Sequence, residues 1–185
     1  MTADEGSVEF LENFESIAMP YMNDLFRAAS SILGSRTEAE DIVQETYLQA
    51  WKSFHRFTLG TNCRAWLFKI LFHVIQHHRR KWYKLKFVNE QEAVLEERLQ
   101  YEPPVPQDLS DEEILAAFKK LPQQYSEVVL LSDVYEFSYK EIQETLDIPI
   151  GTVMSRLSRG RKMLRIHLAD FADPAAHPDR AAHAV

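Results

Sequence analysis

The chain has 185 residues, 45% of them apolar and 26% charged, with a net charge of −7. That balance excludes a wholly disordered chain and a collagen-like repeat, and no apolar run approaches the roughly 20 residues a bilayer-spanning helix needs. A single cysteine, Cys63, excludes an intramolecular disulfide framework and points to a reducing compartment, so a cytoplasmic protein is expected. The acidic start MTADEGSVEF fits neither a secretory nor a transit peptide. Five glycines leave little room for phosphate-cradling loops or a many-turned β fold, so the expected fold class is all-α.

In chain order, the first helix is predicted over 9–33, with a break at Pro20 and a stop at Gly34. Thr37-Glu38-Ala39-Glu40 reads as a capping box. After it, Ala39, Ile42, Val43, Thr46, Tyr47, Ala50, Trp51 and Phe54 recur at helical spacing. FTLGT at 57–61 reads as a loop. A third helix follows from Asn62 to about Lys86, with Trp66, Leu67, Ile70, Leu71, Val74 and Ile75 as its buried face. Residues 89–109 form an acidic linker containing Pro103, Pro104 and Pro106, with room for a short helix over 90–100.

Beyond the linker, Ser110-Asp-Glu-Glu113 is a second capping box, and Pro122 starts a helix whose Val128, Val129, Leu131 and Val134 are expected to be buried. Ser138 to Glu141 caps a short helix ending near Leu146. DIPIG at 147–151 turns the chain, and a last helix runs from Ile150 to Leu168. The expected organisation is therefore two small helical domains, 8–88 and 110–170, joined by the linker 89–109 and followed by a disordered tail, 171–185.

Charge is sorted along this plan. Residues 1–20 have a net charge of −5, and residues 61–88 carry seven bases and no acid. Residues 89–113 have a net charge of −8, and residues 150–168 carry five bases and no acid. Two basic blocks, each closing a helical unit, are candidate footprints on phosphate.

The strongest constellation is SYKEIQETLDIPIGTVMSRLSRGRKML at 138–164: a capped helix, a turn, then a basic helix, which is a helix-turn-helix pattern. Ile150, Val153, Leu157 and Leu164 are expected on its packed face, with Thr152, Ser155, Arg156 and Arg159 on the face that reaches DNA. In the helix after Asn62, residues Lys69, His73, Gln76, His77, Arg80 and Lys84 form one acid-free stripe suited to a nucleic-acid backbone. On the helix after Thr37, Asp41, Gln44, Glu45 and Leu48 make a docking patch or a solvated acidic face.

His73 and His77 have metal-ligand spacing, but no carboxylate or thiol joins them, so no metal or other cofactor is expected. Arg64 beside Cys63 could lower the thiol pKa. No hydrolase, metalloprotease or nucleotide-loop motif is present, which argues against an enzyme with a small-molecule substrate. A stand-alone DNA-binding regulator remains an alternative on these features.

EAEDIVQETYLQAW at 38–51, GTNCRAWLFKI at 60–70 and GTVMSRLSRGRKML at 151–164 occur in an order and spacing that resemble an extracytoplasmic-function sigma factor over roughly residues 10–168. The resemblance implies that the first unit is sigma region two, which docks on core RNA polymerase through Asp41, Gln44, Glu45 and Leu48. It implies that the loop 57–62 and the following helix, with Asn62, Lys69, His73, His77, Arg80 and Lys84, open and read the minus-ten element. Capture of a flipped base fits that role. The second unit would be sigma region four, reading the minus-thirty-five duplex with Thr152, Ser155, Arg156 and Arg159. Bacterial core RNA polymerase, promoter DNA and an anti-sigma protein are the implied partners, with no insertion into a membrane. Two positions depart from the family pattern: His73 stands where asparagine is usual, and Met154 where Lys or Arg is common.

Overall fold

The computed structural model describes residues 3–83, 103–106 and 109–172. Among these, all regular structure is helical. The helices are α1 (Ala3–Ala18), α2 (Met22–Leu33), α3 (Arg36–Ser53), α4 (Cys63–Tyr83), α5 (Asp111–Lys119), α6 (Gln123–Val129), α7 (Tyr139–Leu146) and α8 (Ile150–Ala169). They form two compact units, one built on α1 to α4, the other on α5, α6, α8 and most of α7.

In the first unit, Pro20 replaces a continuous helix with a tight 3-10 turn over Met19–Tyr21, because proline has no amide to donate. The Tyr47 hydroxyl donates to the Ala18 carbonyl at 2.8 Å, supplying a partner where helix carbonyls lose theirs. Gly34 ends α2 at φ +72°, the left-handed conformation that favours glycine.

The start of α3 differs from the sequence reading. Its N-cap is Ser35, whose hydroxyl accepts from the Glu38 amide at 3.3 Å. Thr37 lies inside the helix, and Glu40 pairs with Arg36 one turn back at 3.3 Å instead of closing a box. Two hydroxyl-bearing residues, Ser35 and Thr37, are available for the cap, and the one directly after Gly34 takes it. Ile42, Val43, Thr46 and Ala50 are buried as expected, whereas Trp51 is 37% exposed.

Helix α3 packs on α2 and α4. Leu67, Leu71, Val74 and Ile75 of α4 are buried, and so are Phe68 and Phe72, which the expected face omitted; Trp66 and Ile70 are half-buried. An aromatic cluster closes one side of this unit. Phe14 stands edge-on to Trp51 and Phe54 at 5.1 Å and to Tyr47 at 6.3 Å.

The second unit begins with the full capping box at Ser110 and Glu113. Pro122 is the N-cap of α6. Past Val129 the chain widens into a π turn over Leu130–Val134, with the Tyr135 amide donating to the Leu130 carbonyl at 3.1 Å. The wider turn rotates the following residues about the axis. Val134, expected in the core, is therefore 61% exposed, while Tyr135 and Phe137 are buried. Helix α7 carries the Ser138–Glu141 box.

On α8 the buried residues are Val153, Leu157, Gly160, Met163 and Ile166. Ile150, assigned to this face from the sequence, is 47% exposed, because it sits in the first turn ahead of the packed stripe; Leu164 is half-buried. Phe171, assigned to the tail, is buried in a short turn after α8, with the Lys120 ammonium 5.3 Å from its ring centre. Residues 103–106, with their three prolines, adopt no helix. The rest of the linker before Leu109, including the helix expected over 90–100, and the tail beyond Ala172 lie outside the described residues.

Candidate nucleic-acid interface and docking face

On α3, Asp41, Gln44, Glu45 and Leu48 are all exposed, Leu48 at 46%. The residues are thus brought to one surface, as the spacing predicts. Gln49 donates to the Glu45 carboxylate at 3.0 Å and holds it in place. Gln44 also borders an open groove of about 510 Å³ between α2 and α3, lined by Met22, Phe26, Arg36, Val43 and Tyr47. A part-apolar groove beside an acidic rim suits a protein partner.

The loop after α3 is held from both ends. Phe57, at its start, stacks on Phe54 at 5.7 Å and lies 4.9 Å from the Trp66 ring in the first turn of α4. Gly60 at φ +85° makes the turn, and the Thr61 hydroxyl donates to the Thr58 carbonyl at 2.7 Å. Asn62 caps α4: its side-chain oxygen accepts from the Ala65 amide at 3.0 Å. The aromatic support was missed at the sequence level. Its signal was the density of rings between Phe54 and Trp66.

Lys69, His73, Gln76 and His77 are exposed along α4, as one stripe. The Arg80 side chain and Lys84 lie outside the described residues. Two other bases of the block serve the fold. Arg64 pairs with Asp24 at 3.4 Å, and Arg79 donates to the Ile32 carbonyl at 3.1 Å, near the end of α2. The cationic block is therefore divided between an outer stripe and two internal ties.

Cys63, at the head of α4, is buried, and burial pushes its thiol up to about 11. This corrects the expectation that Arg64 lowers it: the guanidinium is turned to Asp24. At pH 8 native Cys63 is expected to alkylate with iodoacetamide at least about tenfold more slowly than in urea-unfolded chain, read by mass spectrometry. Equal rates would show an accessible thiolate.

In the second unit, Ser155 and Arg159 are exposed on α8, and Thr152 and Arg156 are half-buried. Met154 and Ser158 share the outer face with them, so that face is rotated toward positions 154 and 158 from where the sequence reading set it. Arg161 is exposed too, but its guanidinium is engaged within the unit. It makes a bidentate pair with Asp133 of the π turn, at 2.6 and 3.0 Å. Burial would raise the Asp133 pKa, but hydrogen bonds from Arg161 and Ser132, together with the Arg161 charge, outweigh it and hold the carboxyl below its ordinary value. Gly160 lets α8 lie directly on α6. A Cβ there would stand 2.7 Å from Val129 Cγ2 and 3.2 Å from Tyr125 Cβ.

Among the described residues no group of three or more His, Cys, Asp or Glu could hold a metal ion, and no helix is long and apolar enough to cross a membrane.

Comparison with known proteins agrees with this geometry. The family model for sigma-70 region 2 matches residues 17–83, and that for sigma-70 region 4 matches residues 111–164. The chain is 34% identical over 136 residues to the ECF RNA polymerase sigma factor EcfG of Rhodopseudomonas palustris, covering 74% of each. It is 29% identical over 168 residues to the ECF sigma factor SigW of Bacillus subtilis, covering 85% of this chain and 90% of that one. The sigma factor RpoE of Bartonella quintana, solved with the anti-sigma factor NepR, superposes with a TM-score of 0.65 at 26% identity, over 87% of this chain and 97% of that one. Two helical units, each with a basic outer helix and each matching one of the two sigma regions in chain order, make one conclusion necessary: the chain belongs to the extracytoplasmic-function family of RNA polymerase sigma factors.

Proposed function

We propose that this sigma factor binds bacterial core RNA polymerase in the cytoplasm and directs initiation at one promoter class, acting by binding alone with no enzymatic step of its own. The observation that carries the reading is the succession of sigma region 2 and region 4 matches on two separately packed helical units. Residues 8–88 would dock on the polymerase and open the minus-ten element, the acidic linker 89–109 would thread the polymerase cleft towards the RNA path, and 110–170 would read the minus-thirty-five duplex.

Asp41, Gln44, Glu45 and Leu48 are the proposed docking residues, supported by their shared exposure on α3. Lys69, His73 and His77, with Arg80 and Lys84 further along, would follow the opened strand. Asn62 would set the end of the base-capture loop. Of the proposed duplex contacts, the exposed Ser155 and Arg159 have the strongest geometric support; Thr152 and Arg156 flank them. Each unit alone would bind weakly, and polymerase would raise the effective concentration of both by holding them at promoter spacing. An anti-sigma protein is the proposed control, since RpoE of Bartonella quintana was solved with one.

The test is co-elution of the full chain with sigma-free bacterial core polymerase on a sizing column. Stoichiometric co-elution supports the reading. No co-elution, with tight duplex binding by the chain alone, would replace it with a stand-alone regulator. The double variant Asp41→Ala, Glu45→Ala is expected to weaken polymerase binding about tenfold while leaving duplex selectivity unchanged. Fluorescence titration of core polymerase checks this, and unchanged affinity would displace the docking face from α3.

A further inference from the structure

Three large apolar side chains stand in solvent on the helix-turn-helix: Tyr139, Ile150 and Met154. Ile150 and Met154 are four residues apart at the start of α8 and so lie one turn apart on the same side. Met154 is the most exposed of the three, at 54%. It is surrounded on its own helix by the exposed Ser155, Ser158 and Arg159, and it borders a groove of about 300 Å³ with Tyr139, Ser158, Arg161 and Lys162. The core of α8 is completed by Val153, Leu157, Gly160, Met163 and Ile166. Met154 therefore lies outside that core, and with Ile150 it places apolar surface on a face that also carries hydroxyls and cations.

The cations and hydroxyls of this face suit phosphates and base edges. A thioether suits neither, being only a weak acceptor. In the major groove, the one strongly apolar feature on a base edge is the thymine 5-methyl group. Residues near the N-terminus of a recognition helix are the ones that reach base edges, and Met154 is the fifth residue of α8. An unbranched, polarizable side chain can adapt to a methyl group at that depth.

We propose that Met154 is a specificity-determining residue that packs on the 5-methyl group of a thymine in the upstream promoter duplex, with Ile150 extending the apolar surface one turn back. The inference rests on the second unit being the duplex reader. Met154 then favours thymine over cytosine at one position, because cytosine offers an amino donor and no methyl group there. The cations supply affinity without this preference.

The experiment uses holoenzyme reconstituted from core polymerase and the full chain. Duplexes are selected from a pool randomised in the upstream element. Each thymine of the enriched motif is then replaced singly by deoxyuridine, which keeps the pairing and removes only the methyl group. One replacement is expected to lower affinity about three- to fivefold, the scale of one buried methyl group. Met154→Ala is expected to lower affinity for the thymine duplex by a similar factor and to abolish the difference between thymine and uracil at that position. Met154→Leu is expected to retain it. Uracil tolerated at every position of an enriched motif, or a uracil effect that persists in Met154→Ala, would overturn the methyl contact and leave duplex reading intact. A pool with no enriched upstream motif would overturn the duplex-reading assignment and this proposal with it.

Discussion

Phe14→Ala is expected to destabilise the first helical unit by about 3–5 kcal/mol, the range for removing a buried aromatic side chain. Phe14 is 6% exposed and touches three rings, Tyr47, Trp51 and Phe54, each edge-on. With Phe10, whose ring lies 5.0 Å from Trp51 and 5.3 Å from Phe54, it joins α1 to α3 and the turn that follows. Phe54 in turn carries Phe57, the first residue of the loop ahead of α4, so the cavity would loosen that loop as well as the core. Hydrogen exchange read by mass spectrometry resolves the two units separately. Protection should fall across α1, α3 and the 57–62 loop and stay unchanged in α5, α6 and α8. A loss below about 1 kcal/mol would mean that α1 is a passive cover. The consequence for function is selective: promoter opening should fail at a temperature where duplex selectivity persists.

The second large effect is expected at Gly160. A Cβ there meets Val129 Cγ2 at 2.7 Å, with the Tyr125 Cβ at 3.2 Å and the Tyr125 carbonyl at 3.3 Å behind it. Val129 is β-branched and buried, so its Cγ2 has little rotamer freedom, and Tyr125 presents its Cβ and its carbonyl; none of these yields without a shift of the helices. Gly160→Ala is therefore expected to destabilise by up to about 1 kcal/mol, because the helix propensity gained from alanine offsets only part of the overpacking. Gly160→Val is expected to cost about 1–3 kcal/mol, since its branch must push α8 away from α6. The displacement would also pull Arg161 from Asp133, whose pair is set at 2.6 Å. Urea unfolding of the two variants checks the order. Equal costs for alanine and valine would show that the crossing is already loose.

Much of the architecture was legible because it rests on local chemistry. The break at Pro20, the stop at Gly34 and the boxes at Ser110 and Ser138 each depend on residues within one helical turn, and each stands where the residues predict it. The same holds for the exposed stripe from Lys69 to His77 and for the patch around Glu45, since helical periodicity alone decides which side chains share a face. The motifs that carry the family resemblance are equally local, and they were sufficient to identify the family.

Tertiary packing decided the rest. The π turn at Leu130–Val134 inserts a wider ring into an apparently regular helix, expels Val134 and points Asp133 at Arg161, a residue 28 positions further along. Cys63 is held protonated by burial, although its sequence neighbour is cationic. The basic blocks read as uniform charge. Only the folded chain shows that Arg64, Arg79 and Arg161 spend their charge on partners elsewhere in the fold. Periodicity reports which side of a helix a residue occupies, and long-range contacts decide what that side meets.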